Sequence, residues 1–213
     1  MNFLNYYYYF QNVVPHRICD DIIRYAKSIQ DQMAITGGYA KEVESKKGLS
    51  RQQVKDLKKA RNSDIVWLDE KWIYKEIHPF VQEANIKAGW NFHWDWSEHC
   101  QFTKYNKGQF YDWHSDAFDT PYDKGKDHPW TGKIRKLSVS VSLSDPKDYK
   151  GGDLEFDFRN VETGKKPNVK KCKELLPKGS IVVFPSYVWH RVTPVTKGTR
   201  YSLVLWNLGW PYR

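Results

Sequence analysis

Long apolar runs are missing from this sequence. No stretch approaches the roughly 20 residues that a membrane-spanning helix requires. The opening "MNFLNYYYYFQNVV" has neither the basic start nor the apolar middle of a secretory signal. No membrane association is expected, and a cytoplasmic, intracellular location is. Cysteine is also scarce: Cys19, Cys100 and Cys172 are far apart, odd in number and form no CxxC pair. That pattern argues against both a disulfide framework and a zinc ribbon. No internal repeat is present.

What the chain does contain is aromatic and basic. Its 213 residues show no break in composition, which predicts one domain spanning 1–213. Aromatic residues make up 16%, ten of them Trp, which points to a compact β-rich core under a polar surface. Lys and Arg number 34 against 25 Asp and Glu, a formal charge of +9, and much of the excess sits in residues 41–61 and 164–173. Such charge attracts anions, nucleic acid included. Both runs mix signs or resemble loops and lack interleaved aromatics, so they read first as solvated surface.

Texture divides the chain near residue 95. Before it, a strand candidate "NYYYYF" is followed by a helix in which Ile18, Ile22, Ile23 and Ala26 recur at helical spacing behind Pro15. A short helix is expected over 50–60. A longer one over 71–89 has Trp72, Ile73, Ile77, Phe80, Val81 and Ala84 on one side and Gly89 at its end. After Trp90, "CQFTKYN", "KLSVSVSLS", "GDLEFDF", "GSIVVF" and "RYSLVLWNL" alternate as short strands between turns. The expectation is a helix-rich support region (1–95) packed on a β sandwich or barrel (96–213).

The chemistry collects in the second part. In "YDWHSDAF", His114 and Asp116 sit two residues apart on an extended chain and project to the same side. His190 follows the apolar strand "SIVVF", so a neighbouring strand can carry it to the same end. Two imidazoles and one carboxylate make one face of an octahedral ion and suit non-haem Fe(II). Ten residues on, Arg200 shares a strand face with Ser202, Val204 and Trp206. An inward arginine in an apolar strand calls for an anion, and its fork fits a carboxylate. Tyr105 is in phase with Gln101 and Thr103.

Taken together, these segments resemble the Fe(II)- and 2-oxoglutarate-dependent oxygenases, in particular the prolyl 4-hydroxylase-like branch. "QFTKYNKGQFYDWHSD", "LSDPKDYKGGDLEF" and "LPKGSIVVFPSYVWHRVTPVTKGTRYSLVLWNLG" carry the likeness. The resemblance implies an α+β, mainly β fold, a double-stranded β-helix (jelly-roll) core with N-terminal supporting helices. It implies iron ligation by His114, Asp116 and His190. It also implies 2-oxoglutarate held at its C5 carboxylate by Arg200, with Tyr105 and Ser202 assisting, and ascorbate as an accessory reductant. The reaction implied is hydroxylation with release of succinate and CO2, most naturally on a peptidyl proline.

The loop 117–132 is expected to fold over a peptide, with Trp113, Tyr122 and Trp130 as candidates to hold a proline ring. Asp116 separates the chain from related halogenases, which resemble this site with a small residue there. Trp206 stands where the nucleic-acid demethylases of the superfamily have a second arginine, which disfavours that substrate class. Small-molecule hydroxylation and a cupin-like metal-binding protein are the remaining alternatives.

Overall fold

The computed structural model describes residues 6–29, 32–33, 50, 55, 59–158 and 168–212. Most of the helix expected over 50–60, and most of the basic run 41–61, lie outside these residues.

In chain order the described elements begin with β1 (Tyr8–Phe10), α1 (His16–Lys27), β2 (Gln32–Met33), β3 (Arg61–Asn62), β4 (Asp64–Leu68) and α2 (Lys71–Lys87). The β-rich part follows with β5 (Trp96–Ser97), β6 (Cys100–Tyr105), β7 (Phe110–His114), β8 (Ile134–Ser142), β9 (Tyr149–Gly151), β10 (Leu154–Asp157) and β11 (Val169–Lys171). After a 3-10 turn come β12 (Ile181–Pro185), β13 (Trp189–Val192), β14 (Val195–Gly198) and β15 (Arg200–Gly209). The larger sheet runs β1-β12-β8-β15-β6-β4-β2 with β5 on β15, the smaller runs β11-β10-β13-β7-β3, and β9 pairs β14. The fold is therefore mostly β, with two long helices among the described residues.

Alternation decides which face of the larger sheet the helices cover. On β15 and β8, Leu203 faces Val141 and Leu205 faces Val139, while Ser202 meets Ser142 and Val204 meets Ser140. Leu203, Leu205, Val139, Val141 and Phe102 join one core cluster with Ile22 and Ala26 of α1 and Ile73, Ile77, Val81 and Ala84 of α2. The helices thus pack on the Leu/Val face through the stripes that their 3.6-residue period predicts. Trp72 and Phe80 are partly buried against the same cluster. Helix α2 ends as its sequence suggests, with Gly89 at φ +72° just past the last turn.

The serine-lined face looks the other way, toward the smaller sheet. Phe156 of β10 meets Phe184 of β12 edge to face, with ring centroids 5.0 Å apart, and Leu154, Val182 and Val188 complete that contact. The two sheets therefore enclose a space between them, and the site lies there.

One expectation needs correction. The strand candidate "NYYYYF" is met by β1, but the first 90 residues hold further strands that were not expected: β2 and β4 in the larger sheet, and β3 at an edge of the smaller one. Strand β4 pairs with β6 over five residues, Asp64–Lys104 to Leu68–Cys100. Its sequence "DIVWL" is β-branched and aromatic enough for a strand, but it is only five residues long and directly precedes a strong helix.

Candidate metal centre

His114 ends β7 and His190 lies on β13, and the two are paired residues in the smaller sheet. Asp116 lies two residues beyond β7, in a loop whose Asp116 and Ala117 amides both donate to the Ser186 carbonyl at 3.0 Å. One donor atom from each of the three side chains falls within 4.8 Å of the others. His114 Nε2 is 3.8 Å from one Asp116 oxygen and His190 Nε2 is 3.5 Å from the other.

The ring orientations suit a cation. His114 Nδ1 is 2.7 Å from the Asp112 carbonyl and His190 Nδ1 is 3.0 Å from the Val188 carbonyl. A carbonyl only accepts, so each Nδ1 must carry the proton and a neutral ring then presents its Nε2 lone pair to the centre. Burial, then the nearby His190, push His114 down to about 3, so it is neutral at physiological pH. Burial alone would raise Asp116, but His190, His114 and Arg135 outweigh it and hold its carboxyl at about 2. A neutral imidazole and an ionised carboxylate are the forms a divalent ion needs. This donor set, two nitrogens and a carboxylate, fits Fe(II).

Around Asp116 a second layer is in place. Ser138 Oγ donates to Asp116 Oδ2 at 2.7 Å and lies 2.9 Å from Ser186 Oγ. Arg135 approaches the other carboxylate oxygen at 4.0 Å. Its guanidinium lies over Trp206 at 3.9 Å and Phe118 at 4.7 Å, and Glu98 takes it in a two-pronged pair at 2.6 and 2.7 Å. The Tyr122 hydroxyl donates to the same Glu98 at 2.7 Å.

Arg200 is 3% exposed. It pairs with Tyr105 across β15 and β6, its guanidinium is 5.6 Å from the Tyr105 ring, and its Nη1 donates to Ser202 Oγ at 3.3 Å. No carboxylate among the described residues pairs with it. The three metal-type donors, Arg200, Tyr105 and Ser202 all line one cavity of about 440 Å³ of empty space between the sheets, part of it open to solvent. A buried guanidinium with no carboxylate partner among the described residues, close to this donor set, suits an anionic cosubstrate such as 2-oxoglutarate.

Residues 100–207 match the family model of the 2OG-Fe(II) oxygenase superfamily, a segment that contains His114, Asp116, His190, Arg200, Tyr105 and Ser202. The chain belongs to that superfamily. Curated relatives carry the name PKHD-type hydroxylase: one from Synechococcus sp. (strain JA-2-3B'a(2-13)) is 37% identical over 70 residues, 33% of this chain and 27% of that protein. Another, from Hyphomonas neptunium, is 46% identical over 70 residues, again 33% of this chain and 27% of its own length. The match thus spans about a quarter of these relatives.

Over nearly the whole chain the fold is that of solved prolyl hydroxylases. The viral collagen prolyl hydroxylase of Paramecium Bursaria Chlorella virus-1 superposes with TM-score 0.60 at 21% identity, covering 97% of both chains. A Pseudomonas putida prolyl-4-hydroxylase gives 0.61 at 17% identity, covering 96% of this chain and 93% of that one. The prolyl hydroxylase of Trichoplax adhaerens, solved with a hypoxia inducible factor peptide fragment, gives 0.60 at 17% identity, covering 96% and 84%.

Three aromatic expectations fare differently. Trp113, Tyr122 and Trp130 do not line the cavity. Trp113 carries the Arg191 guanidinium at 4.7 Å, Tyr122 is committed to Glu98, and Trp130 packs on Tyr122 and His128. The aromatic that does line the cavity from β7 is Tyr111, stacked on His114 with centroids 3.5 Å apart. Strict alternation would turn Tyr111 away from His114. A register shift breaks the phase: His190 pairs with His114 but Val192 with Tyr111, so two steps on β13 match three on β7. That is a β-bulge, a device that re-aims side chains beside sites.

Proposed function

We propose that this chain is an Fe(II)- and 2-oxoglutarate-dependent dioxygenase that hydroxylates a peptidyl residue, proline first, and releases succinate and CO2. The observation that carries the reading is the joint placement, in one cavity between two sheets, of the His114–Asp116–His190 donors and the Arg200 guanidinium, which has no carboxylate partner among the described residues. In this reading the two sheets are the walls of a double-stranded β-helix. The chain acts as one domain (1–213), in which 96–213 is the catalytic core and 1–95 buttresses it through α1 and α2. His114, Asp116 and His190 would hold the iron. Arg200 would take the C5 carboxylate of 2-oxoglutarate, with the Ser202 and Tyr105 hydroxyls beside it.

Bound together, iron and 2-oxoglutarate supply the oxidative decarboxylation that drives hydroxylation of a C–H bond. The residues of the chain orient and shelter that chemistry. The Nδ1–carbonyl bonds fix both imidazoles, Ser138 and Arg135 fix Asp116, and the apolar contact of Phe156 with Phe184 closes one flank of the cavity. Ascorbate would serve as an accessory reductant. The three cysteines are free and buried, with thiols pushed up to about 11 or 12 by burial, which suits a reducing compartment such as the cytoplasm. A peptide or protein partner is favoured by the solved relative that carries a peptide.

The test is an anaerobic titration of apoprotein with Fe(II) and then 2-oxoglutarate, followed by visible absorption. A weak charge-transfer band that appears with the wild type and disappears in His190→Ala is expected. Iron binding without the band would remove the cosubstrate role of Arg200 and favour the cupin-like alternative.

A further inference from the structure

Tyr122 stands in the neck of the loop 117–132, where the sequence offers it as a ring to hold proline. The structure gives it another task. Its N–H donates to the Lys133 carbonyl at 2.9 Å and its carbonyl accepts from the Gly132 N–H at 2.8 Å, so the two ends of the loop's tip are tied together. Within the tip, Thr131 Oγ1 donates to the Gly125 carbonyl at 2.6 Å and the His128 N–H to the same carbonyl at 3.2 Å. The exposed Lys124 and Lys126 are carried on it.

Inward from the neck runs a chain of charged contacts. The Tyr122 hydroxyl donates to Glu98 Oε1 at 2.7 Å, and the same oxygen accepts from Arg135 Nε at 2.6 Å while Oε2 accepts from Nη2 at 2.7 Å. Arg135 Nη1, left over by that pair, is 4.0 Å from Asp116 Oδ1. Phe118, near the start of the loop, lies against the same guanidinium at 4.7 Å. The loop therefore reaches Arg135 twice, directly through Phe118 and through the Tyr122–Glu98 bond. Glu98 and Asp116 are 3% and 5% exposed, so salt screens this chain little. Neither Tyr122 nor Glu98 lines the cavity, which makes their route to the metal donors an indirect one.

Such a chain transmits position because each member has few alternatives. A buried charge that loses a partner has to find another. Without the tyrosine hydroxyl, Glu98 keeps Arg135 but loses a donor that fixes its rotation, and the guanidinium follows the carboxylate. Asp116 then loses its neighbour on Oδ1. In the other direction, an ion that immobilises Asp116 steadies Arg135, then Glu98, then the neck of the loop.

We infer that Tyr122 is a positioning residue for the metal centre: through Glu98 and Arg135 it makes the seating of the loop 117–132 and the pose of Asp116 interdependent. The inference rests on the proposed function only in taking His114, Asp116 and His190 as metal ligands. Its consequence is an order of events, in which the loop seats fully once the centre is loaded.

The experiment uses Co(II), whose visible bands report the arrangement of its ligands without turnover. The wild type, Tyr122→Phe, Arg135→Lys and the double variant are each titrated with Co(II) and digested briefly with trypsin, cleavage after Lys124 and Lys126 being read by mass spectrometry. Tyr122→Phe is expected to weaken Co(II) binding by about fivefold and to alter the bands. In the wild type, saturating Co(II) is expected to slow cleavage in the tip by a similar factor, about fivefold, because coupling between two sites is reciprocal and cleavage follows the population of the open loop when opening is fast. In Tyr122→Phe that protection disappears. Once Arg135→Lys has broken the chain, adding Tyr122→Phe changes Co(II) affinity by less than about twofold.

A tyrosine that only packs the loop would lower the melting midpoint yet leave affinity, bands and protection as in the wild type, and that outcome overturns the inference. So does full additivity of the two substitutions on Co(II) affinity. If Arg135→Lys does not fold, protection in the wild type and its loss in Tyr122→Phe decide alone. A wild type that takes up no Co(II) overturns the metal centre together with this inference, whereas uptake without protection overturns the inference alone. Protection without a charge-transfer band for Fe(II) and 2-oxoglutarate leaves it standing while the cosubstrate reading falls.

Discussion

Asp116 shows how a single side chain is prepared by its neighbours. Ser138 Oγ holds one carboxylate oxygen at 2.7 Å, Ser186 steadies that serine at 2.9 Å, and Arg135 stands 4.0 Å from the other oxygen. Such outer partners orient ligands, and their loss costs metal affinity by roughly 10–100-fold. Ser138→Ala is therefore expected to weaken Fe(II) binding by about tenfold or more, read by competition with a chromophoric chelator, while the fold is kept. Unchanged affinity would reduce Ser138 to a packing residue. His114, Asp116, His190 and Arg200 were legible in the sequence because their chemistry is costly anywhere but a site. Tyr111 was not, because a register shift between β7 and β13 reverses its phase.

Among the elements, the turn between β9 and β10 supports Arg200. Gly152 has φ +64°, and a Cβ placed there would lie 2.9 Å from the Arg200 Cδ and 2.9 Å from Val195 Cγ2. A left-handed backbone with no room for a methyl is the condition that requires glycine. Gly152→Ala is expected to cost about 1–3 kcal/mol in backbone strain and to displace the Arg200 stem. 2-Oxoglutarate binding should then fall more than iron binding, as seen in the two stages of the anaerobic titration.

The helix stripes and the strands β6, β8, β10, β12 and β15 were readable because each keeps its period over several residues. Strand β4 was hidden by brevity and by the helix that follows it. Its value is nevertheless structural, since it extends the larger sheet beside β6. The shared core of that sheet makes its own prediction. Leu203 is fully buried between β15 and the helices, and Leu203→Ala should lower unfolding stability by about 2–5 kcal/mol in urea titration without altering the order of metal and cosubstrate binding.

At the scale of the whole molecule, the two sheets divide the work. His114 and His190 belong to the smaller sheet, and Asp116 follows directly from it, whereas Arg200, Tyr105 and Ser202 stand on the larger one. Metal alone would staple β7 to β13, elements already hydrogen-bonded to each other. Metal with 2-oxoglutarate would join the sheets across the cavity, because the cosubstrate would reach from the metal to Arg200. Each ligand that binds only the folded state stabilises it by RT ln(1 + [L]/Kd). Heating the protein with Ni(II) as a redox-quiet ion, then with 2-oxoglutarate, then with both, should therefore give a joint rise in midpoint larger than the sum of the separate rises. In Arg200→Gln the metal increment should survive and the excess should vanish. Simple additivity in the wild type would mean that the cosubstrate does not bridge the sheets, and the division of the site between them would have to be redrawn.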